Sequence, residues 1–330
     1  MMMRILALVL LLCTMSQAQK FSPDPFLAMP NWLPAGVQTV RISPDGRTAL
    51  TAPGLTDRRR PLELWDVAKG RRISMLHPPA EHISVQYLPS NHIVALTDKE
   101  EGGVMTSRAW IWDSKTGKLL KHSRAVSGDL ANQPALISPN TVVLWNRKTE
   151  MEGTESERKY RSASQLLAWY WPTDKVRVIT EIQGAHIEQA EVSPDGSLVA
   201  ASTGANMVGV WQAKTGKLLS KKFGLWGIFF TSDPRILALS DGIYKLPNLE
   251  KRAPLPPTLY LAQSGKVTYA LTYGDKNYCL DPYTLEARCE AKVTKGDDFD
   301  WGSCQDAGAL PDGRILFWDP VHRAVAILGP

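Results

Sequence analysis

Cysteine, histidine and long apolar runs are all scarce in this chain. Of 330 residues only four are cysteine and six histidine. The histidines His77, His82, His92, His122, His186 and His322 are scattered, and no His-Glu-x-x-His, phosphate-binding Gly-rich loop or Gly-x-Ser-x-Gly elbow occurs. These gaps leave no local signature of a metal, a cofactor or a catalytic residue, so none is assigned. The acidic run Asp98, Glu100 and Glu101 lacks the alternating oxygen donors of a calcium loop and reads as a solvated turn.

The one sustained apolar stretch is short. Arg4, the run Ile5 to Leu12 and the small-x-small signature Ser16-Gln17-Ala18 read as a secretory signal over residues 1–18, with the mature chain expected to start near Gln19. The run is too brief to hold a chain stably in a bilayer. Leu12 stands where a lipoprotein signal needs a small residue before Cys13. A periplasmic or secreted protein is expected.

Three cysteines then remain. Cys279 and Cys289 flank the turn Asp281-Pro282-Tyr283-Thr284 and would face each other across a hairpin, either bonded in an oxidising compartment or, with Cys304, packed as buried thiols. The formal net charge of +5 is mild, with no basic concentration of the kind nucleic acid requires.

What the chain does contain is a repeated turn. Ser43-Pro44-Asp45-Gly46 recurs as Ser193-Pro194-Asp195-Gly196 and as Leu310-Pro311-Asp312-Gly313. Weaker copies lie at Leu88-Pro89-Ser90-Asn91, Ser138-Pro139-Asn140, Ser232-Asp233-Pro234 and Gln263-Ser264-Gly265. Proline presets one backbone angle and glycine or asparagine accepts a positive φ, so each copy joins two strands. Further on, a strand ends in an aromatic or apolar residue and a polar one: Trp65-Asp66, Trp112-Asp113, Trp211-Gln212 and Trp318-Asp319, with looser copies at Trp171-Pro172, Tyr244-Lys245 and Leu280-Asp281. Lys115-Thr116-Gly117-Lys118 and Lys214-Thr215-Gly216-Lys217 then make a hairpin turn into another apolar strand.

These residues resemble WD repeats, over essentially all of the mature chain. The resemblance implies an all-β, seven-bladed β-propeller of four-stranded antiparallel blades, here with bounds 38–80, 81–123, 124–183, 184–222, 223–256, 257–293 and 294–330. The Gly-His pair of that family is absent, with Gly184-Ala185-His186 the nearest trace, so lactonase-like and quinoprotein-like propellers stay open. The last blade has room for three strands, and Phe21 to Trp32 is expected to close the ring by pairing directly as its fourth.

Most tryptophans fall in the blade register and belong to inter-blade packing. Trp226 and Trp301 do not, and are candidates for exposed contacts. The connections between second and third strands are long in the first three blades, at Pro53 to Arg60, Lys99 to Ser107 and Arg147 to Ser162. They would emerge together as a raised rim carrying Arg58, Arg59, Arg60, Arg147, Lys148, Arg158, Lys159 and Arg161. The expected function is a non-catalytic scaffold whose rim binds a protein partner, possibly an acidic one. The alternative is a propeller enzyme with its active site in the central channel. Sequence does not set the oligomeric state.

Overall fold

A computed structural model describes residues 24–330 except 55–59, 79–80, 89, 102–103, 128, 131–134, 153–158, 226, 256–257, 265–266, 273–275, 296–297 and 302–304. It is a seven-bladed propeller, each blade an antiparallel sheet of four main strands. Blade 1 runs Val37–Ile42, Thr48–Pro53, Leu62–Asp66, Arg71–Leu76 from first to fourth strand. The other blades follow at Glu81–His122, Asp129–Gln183, Ile187–Phe223, Ile228–Ala253, Thr258–Glu290 and Lys292–Gly329.

Every repeated turn found in the sequence joins the first strand of a blade to its second. The chemistry is local. Ser43 Oγ donates to Asp45 Oδ1 and accepts from Thr48 N–H, and Ser193 does the same with Asp195 and Leu198. The Asp that follows the aromatic or apolar residue caps the next turn: Asp113 Oδ1 accepts from the amides of Lys115 and Thr116 and from the Thr116 hydroxyl, while Asp281, after Leu280, accepts from Tyr283 and Thr284. Glycine is required twice over in these turns. Gly117 has φ +68°, and a β-carbon there would lie 2.6 Å from Ser74 Oγ of the neighbouring blade; Gly216, at φ +74°, abuts the Ile179 carbonyl in the same way. Each such turn is thus packed against the fourth strand of the preceding blade.

Between blades the interior is apolar. Leu50, Leu62, Leu64 and Leu76 of blade 1 pack on Val85, Ile93, Ala95 and Trp110 of blade 2, and equivalent clusters fill the other seams. Polar bonds cross them too, such as Thr48 Oγ1 to Tyr87 Oη at 2.9 Å and Tyr269 Oη donating to the Gly313 carbonyl at 2.9 Å.

The last blade departs from expectation. Its outer strand is Lys292–Lys295, which pairs with Ala324–Gly329 from Lys292↔Gly329 to Lys295↔Ala326. The N-terminal segment closes the ring, but not as a strand. From Asp24 it forms turns and a short helix, Met29–Trp32 (α1). Pro25, Pro30 and Pro34 lack the amide that a ladder needs, which accounts for the difference. The segment acts instead as a clasp. Phe26, Met29 and Leu33 pack with Val40 and Ile42 of blade 1 and with Leu316, Trp318 and Ile327 of blade 7. Arg314 pairs with Asp24, and Arg323 donates to the carbonyls of Pro30, Leu33 and Pro34 at 2.7–3.1 Å. Phe21 lies outside the described residues.

Two further placements differ. Trp318-Asp319 ends the second strand of its blade, not the third, because the last blade takes its fourth strand from upstream. Trp301 is half-buried, edge-on to Phe299 and Phe317 with centroids 4.9 and 5.3 Å away, so it belongs to packing; Trp226 lies outside the described residues.

Cys279 and Cys289 are register partners on adjacent strands, joined as a disulfide with a Cα separation of 5.1 Å. Cys304 falls outside the described residues.

Met29 is fully buried in the clasp, so Met29→Ala is expected to lower unfolding free energy by roughly 2–5 kcal/mol. Urea denaturation measures this, and a loss below about 1 kcal/mol would mean that the clasp does not hold the ring. A reductant is expected to cost the parent chain roughly 2–4 kcal/mol in the same assay, and to leave a Cys289→Ser variant unaffected.

Candidate functional site

The long connections of blades 2 and 3 are not loops along most of their length. The second and third strands continue past the blade as paired ribbons. In blade 2, His92–Glu101 and Val104–Asp113 stay in register out to Glu101↔Val104. In blade 3, Thr141–Glu152 and Lys159–Tyr170 do so out to Glu152↔Lys159. The sequence accounts for where each ribbon leaves the core. Residues 93–97 and 142–146 are buried without interruption, and Lys99 and Arg147 beyond them are exposed. Polar bonds close the last buried layer: Trp110 Nε1 donates to Thr97 Oγ1 at 2.8 Å, and Gln165 N–H to Asn146 Oδ1 at 3.1 Å.

The connection between these blades ties the two ribbons together. Val126–Ser127 pairs with Thr106 and Ser107 of the first ribbon, and Asp129–Leu130 with Arg147 and Asn146 of the second. One chain segment therefore serves as the edge of both sheets.

The candidate rim residues divide as follows. Arg147 is exposed at the base of the blade 3 ribbon, and Arg60 is exposed at the end of the blade 1 connection. Lys148, Lys159 and Arg161 lie on the ribbon strands. Arg58, Arg59 and Arg158 lie outside the described residues. Register places a carboxylate residue opposite three of these cations, as Asp129↔Arg147, Glu150↔Arg161 and Glu152↔Lys159, whereas Lys148 is opposite Ala163. The ribbon thus carries a charge pattern of both signs, and a surplus of one sign is confined to Arg58–Arg60. Arg147 also acts on His186, whose pKa is lowered first by burial and then by that guanidinium. Among the described residues no group of three or more His, Cys, Asp or Glu could hold a metal ion.

One further polar group was not singled out by sequence. Glu191, on the first strand of blade 4, accepts from Phe230 N–H of blade 5 at 2.9 Å. Gln189 Nε2 donates to the Ile228 carbonyl at 2.8 Å and its Oε1 accepts from Ile228 N–H at 3.2 Å. Two side chains thereby satisfy the backbone edge of the next blade's inner strand, Ile228–Phe230. Burial pushes the Glu191 carboxyl up to about 7, against the opposing pull of the Phe230 amide and Gln189. The signal available in the sequence was a polar pair two residues apart on an inner strand.

No protein-family model matches the chain, and none of the curated proteins matches its sequence. Among solved structures, the β-propeller domain of Cps50 (Swd1) from Myceliophteria thermophila superposes with a TM-score of 0.51 at 10% identity, over 90% of this chain and 98% of that one. The likeness is one of fold. At that identity it carries the propeller architecture to this chain and nothing about a partner.

Glu191 binds its proton more tightly folded than unfolded. Its contribution is therefore complete below its ordinary value near 4.5 and is lost as pH rises through about 7. Thermal melts from pH 5 to 8 should show stability falling over this range in the parent and a flatter profile in Glu191→Gln. Equal slopes would remove Glu191 as the source.

Proposed function

We propose that this chain is an exported, non-catalytic scaffold that holds a protein partner along the connections between the second and third strands of blades 1 to 3. The observation that carries the reading is the pair of ribbons continuing beyond the blades of 2 and 3 and joined by residues 126–130. Such ribbons add nothing to the blade interior, yet they are held in fixed positions by the rigid sheets below, which suits recognition. Charges of both signs along the blade 3 ribbon favour a partner read by pattern, and the Arg58–Arg60 run favours carboxylates on the part of the partner that meets blade 1. Export is supported by the signal-like residues 1–18 and agrees with the Cys279–Cys289 bond, since such bonds persist in oxidising compartments.

Affinity capture from the envelope fraction of the native host tests this. The parent is expected to retain a defined protein that is lost when Arg58, Arg59 and Arg60 are all replaced by Ser, and again when the ribbon residues 149–161 are shortened to a tight turn. Retention by both variants would move the binding surface elsewhere.

A further inference from the structure

The outermost strands of the first four blades have an unusual composition. They are Arg71–Leu76, Leu119–His122, Lys175–Gln183 and Leu218–Phe223, and their sole carboxylate is Glu181. Basic residues stand there among large apolar ones, Arg72 being paired with Glu63 of the adjacent strand. Ile73, Leu119, Leu120, Val178, Leu218 and Phe223 are all exposed, Phe223 by 64%. The corresponding strands of blades 5 and 6 carry Glu250 and Glu290.

The turns that lead into these strands add to the charge. Lys115, Lys118, Lys214 and Lys217 are exposed and have no carboxylate partner among the described residues. The turn aspartates Asp66 and Asp113 stay ionised, held below the usual carboxylate range, so each offsets one cation of its turn and the lysines and arginines of the belt remain in excess.

The four strands form one continuous belt. Gly117 seats the blade 2 turn on Ser74 of blade 1, Gly216 seats the blade 4 turn on blade 3, and Arg124 N–H donates to Asp174 between blades 2 and 3. At the blade 1 end opens a groove of about 730 Å³ of mixed charge, with Val67, Ile73 and Phe26 in its wall and Asp45, Asp66 and Asp312 beside Arg47, Lys69 and Lys115, so the basic surface is carried by the outer strands and their turns and not by this groove.

We propose that this belt is a peripheral docking surface for an anionic lipid bilayer. Lysine and arginine meet headgroup phosphates, while leucine, valine and phenylalanine enter the interfacial zone. A partner that offers charge alone, such as a nucleic acid or an acidic glycan, would leave the exposed apolar side chains without a counterpart. The repetition over four blades also suits a surface that is uniform in every direction, since the chain can lie on it through any two adjacent blades. The belt meets the blade 3 ribbon at the end of Lys175–Gln183, where Gln183 pairs with Ala163, but it uses none of the rim cations, so the proposal does not depend on the scaffold reading.

The test is sedimentation of residues 19–330 with vesicles of phosphatidylcholine alone or mixed with phosphatidylglycerol. Binding is expected only to the mixed vesicles, and is expected to fall as salt is raised. Lys118→Gln with Lys217→Gln should weaken it by about fivefold per residue. Leu119→Ser with Leu120→Ser should weaken it at unchanged charge, with circular dichroism confirming that both variants stay folded. Absence of preference for the mixed vesicles overturns the proposal. So does binding to heparin or polyglutamate as tight as to the vesicles and indifferent to the leucine changes, which would assign the belt to a soluble polyanion.

Discussion

A propeller is a ring, and a ring made from one linear chain has one seam that no connecting loop crosses. Here that seam lies between blades 7 and 1, and it is held by side chains instead of a shared strand. The clasp from Asp24 to Pro34 sets Phe26, Met29 and Leu33 against both blades, while Arg314 and Arg323 bind it to the last blade. Apolar burial has no direction, so the arginine bonds to three clasp carbonyls supply the orientation that packing alone does not. All other inter-blade contacts are arranged on the condition that this seam stays shut.

Within each blade the organisation is local and economical in residue types. A serine and an aspartate order the first turn, an aspartate caps the last, and a glycine lets that turn settle on the neighbouring blade. Because the same residues serve the turn and the contact, blade geometry and blade spacing are not independent. Glu191 and Gln189 show a second solution at the blade 4 to blade 5 seam, where side chains take the place of a missing backbone partner.

This distribution explains what was legible in the sequence. The turns were, because proline, aspartate and glycine occupy backbone conformations that few residues tolerate. Lys292–Lys295 was not, since Lys-Val-Thr-Lys has no turn signal and becomes a strand of blade 7 only through pairing with residues 326–329. The ribbons were read as loops because polar residues on both faces erase the apolar alternation that marks a strand. The rim residues were grouped from the lengths of the connections, but the carboxylates opposite Arg147, Arg161 and Lys159 depend on register, which composition does not reveal. Trp301 failed as an exposed contact for a similar reason: its partners Phe299 and Phe317 are brought to it by sheet pairing.

Val126–Ser127 is an edge strand of the blade 2 sheet and Asp129–Leu130, close behind it in the chain, an edge strand of the blade 3 sheet. A load applied to one ribbon cannot be absorbed by that ribbon alone, for its base is laced to the other through the pairings of Val126–Ser127 and Asp129–Leu130. The two ribbons are therefore braced as one pair, and a body gripped between them would feel the stiffness of two blades, not one.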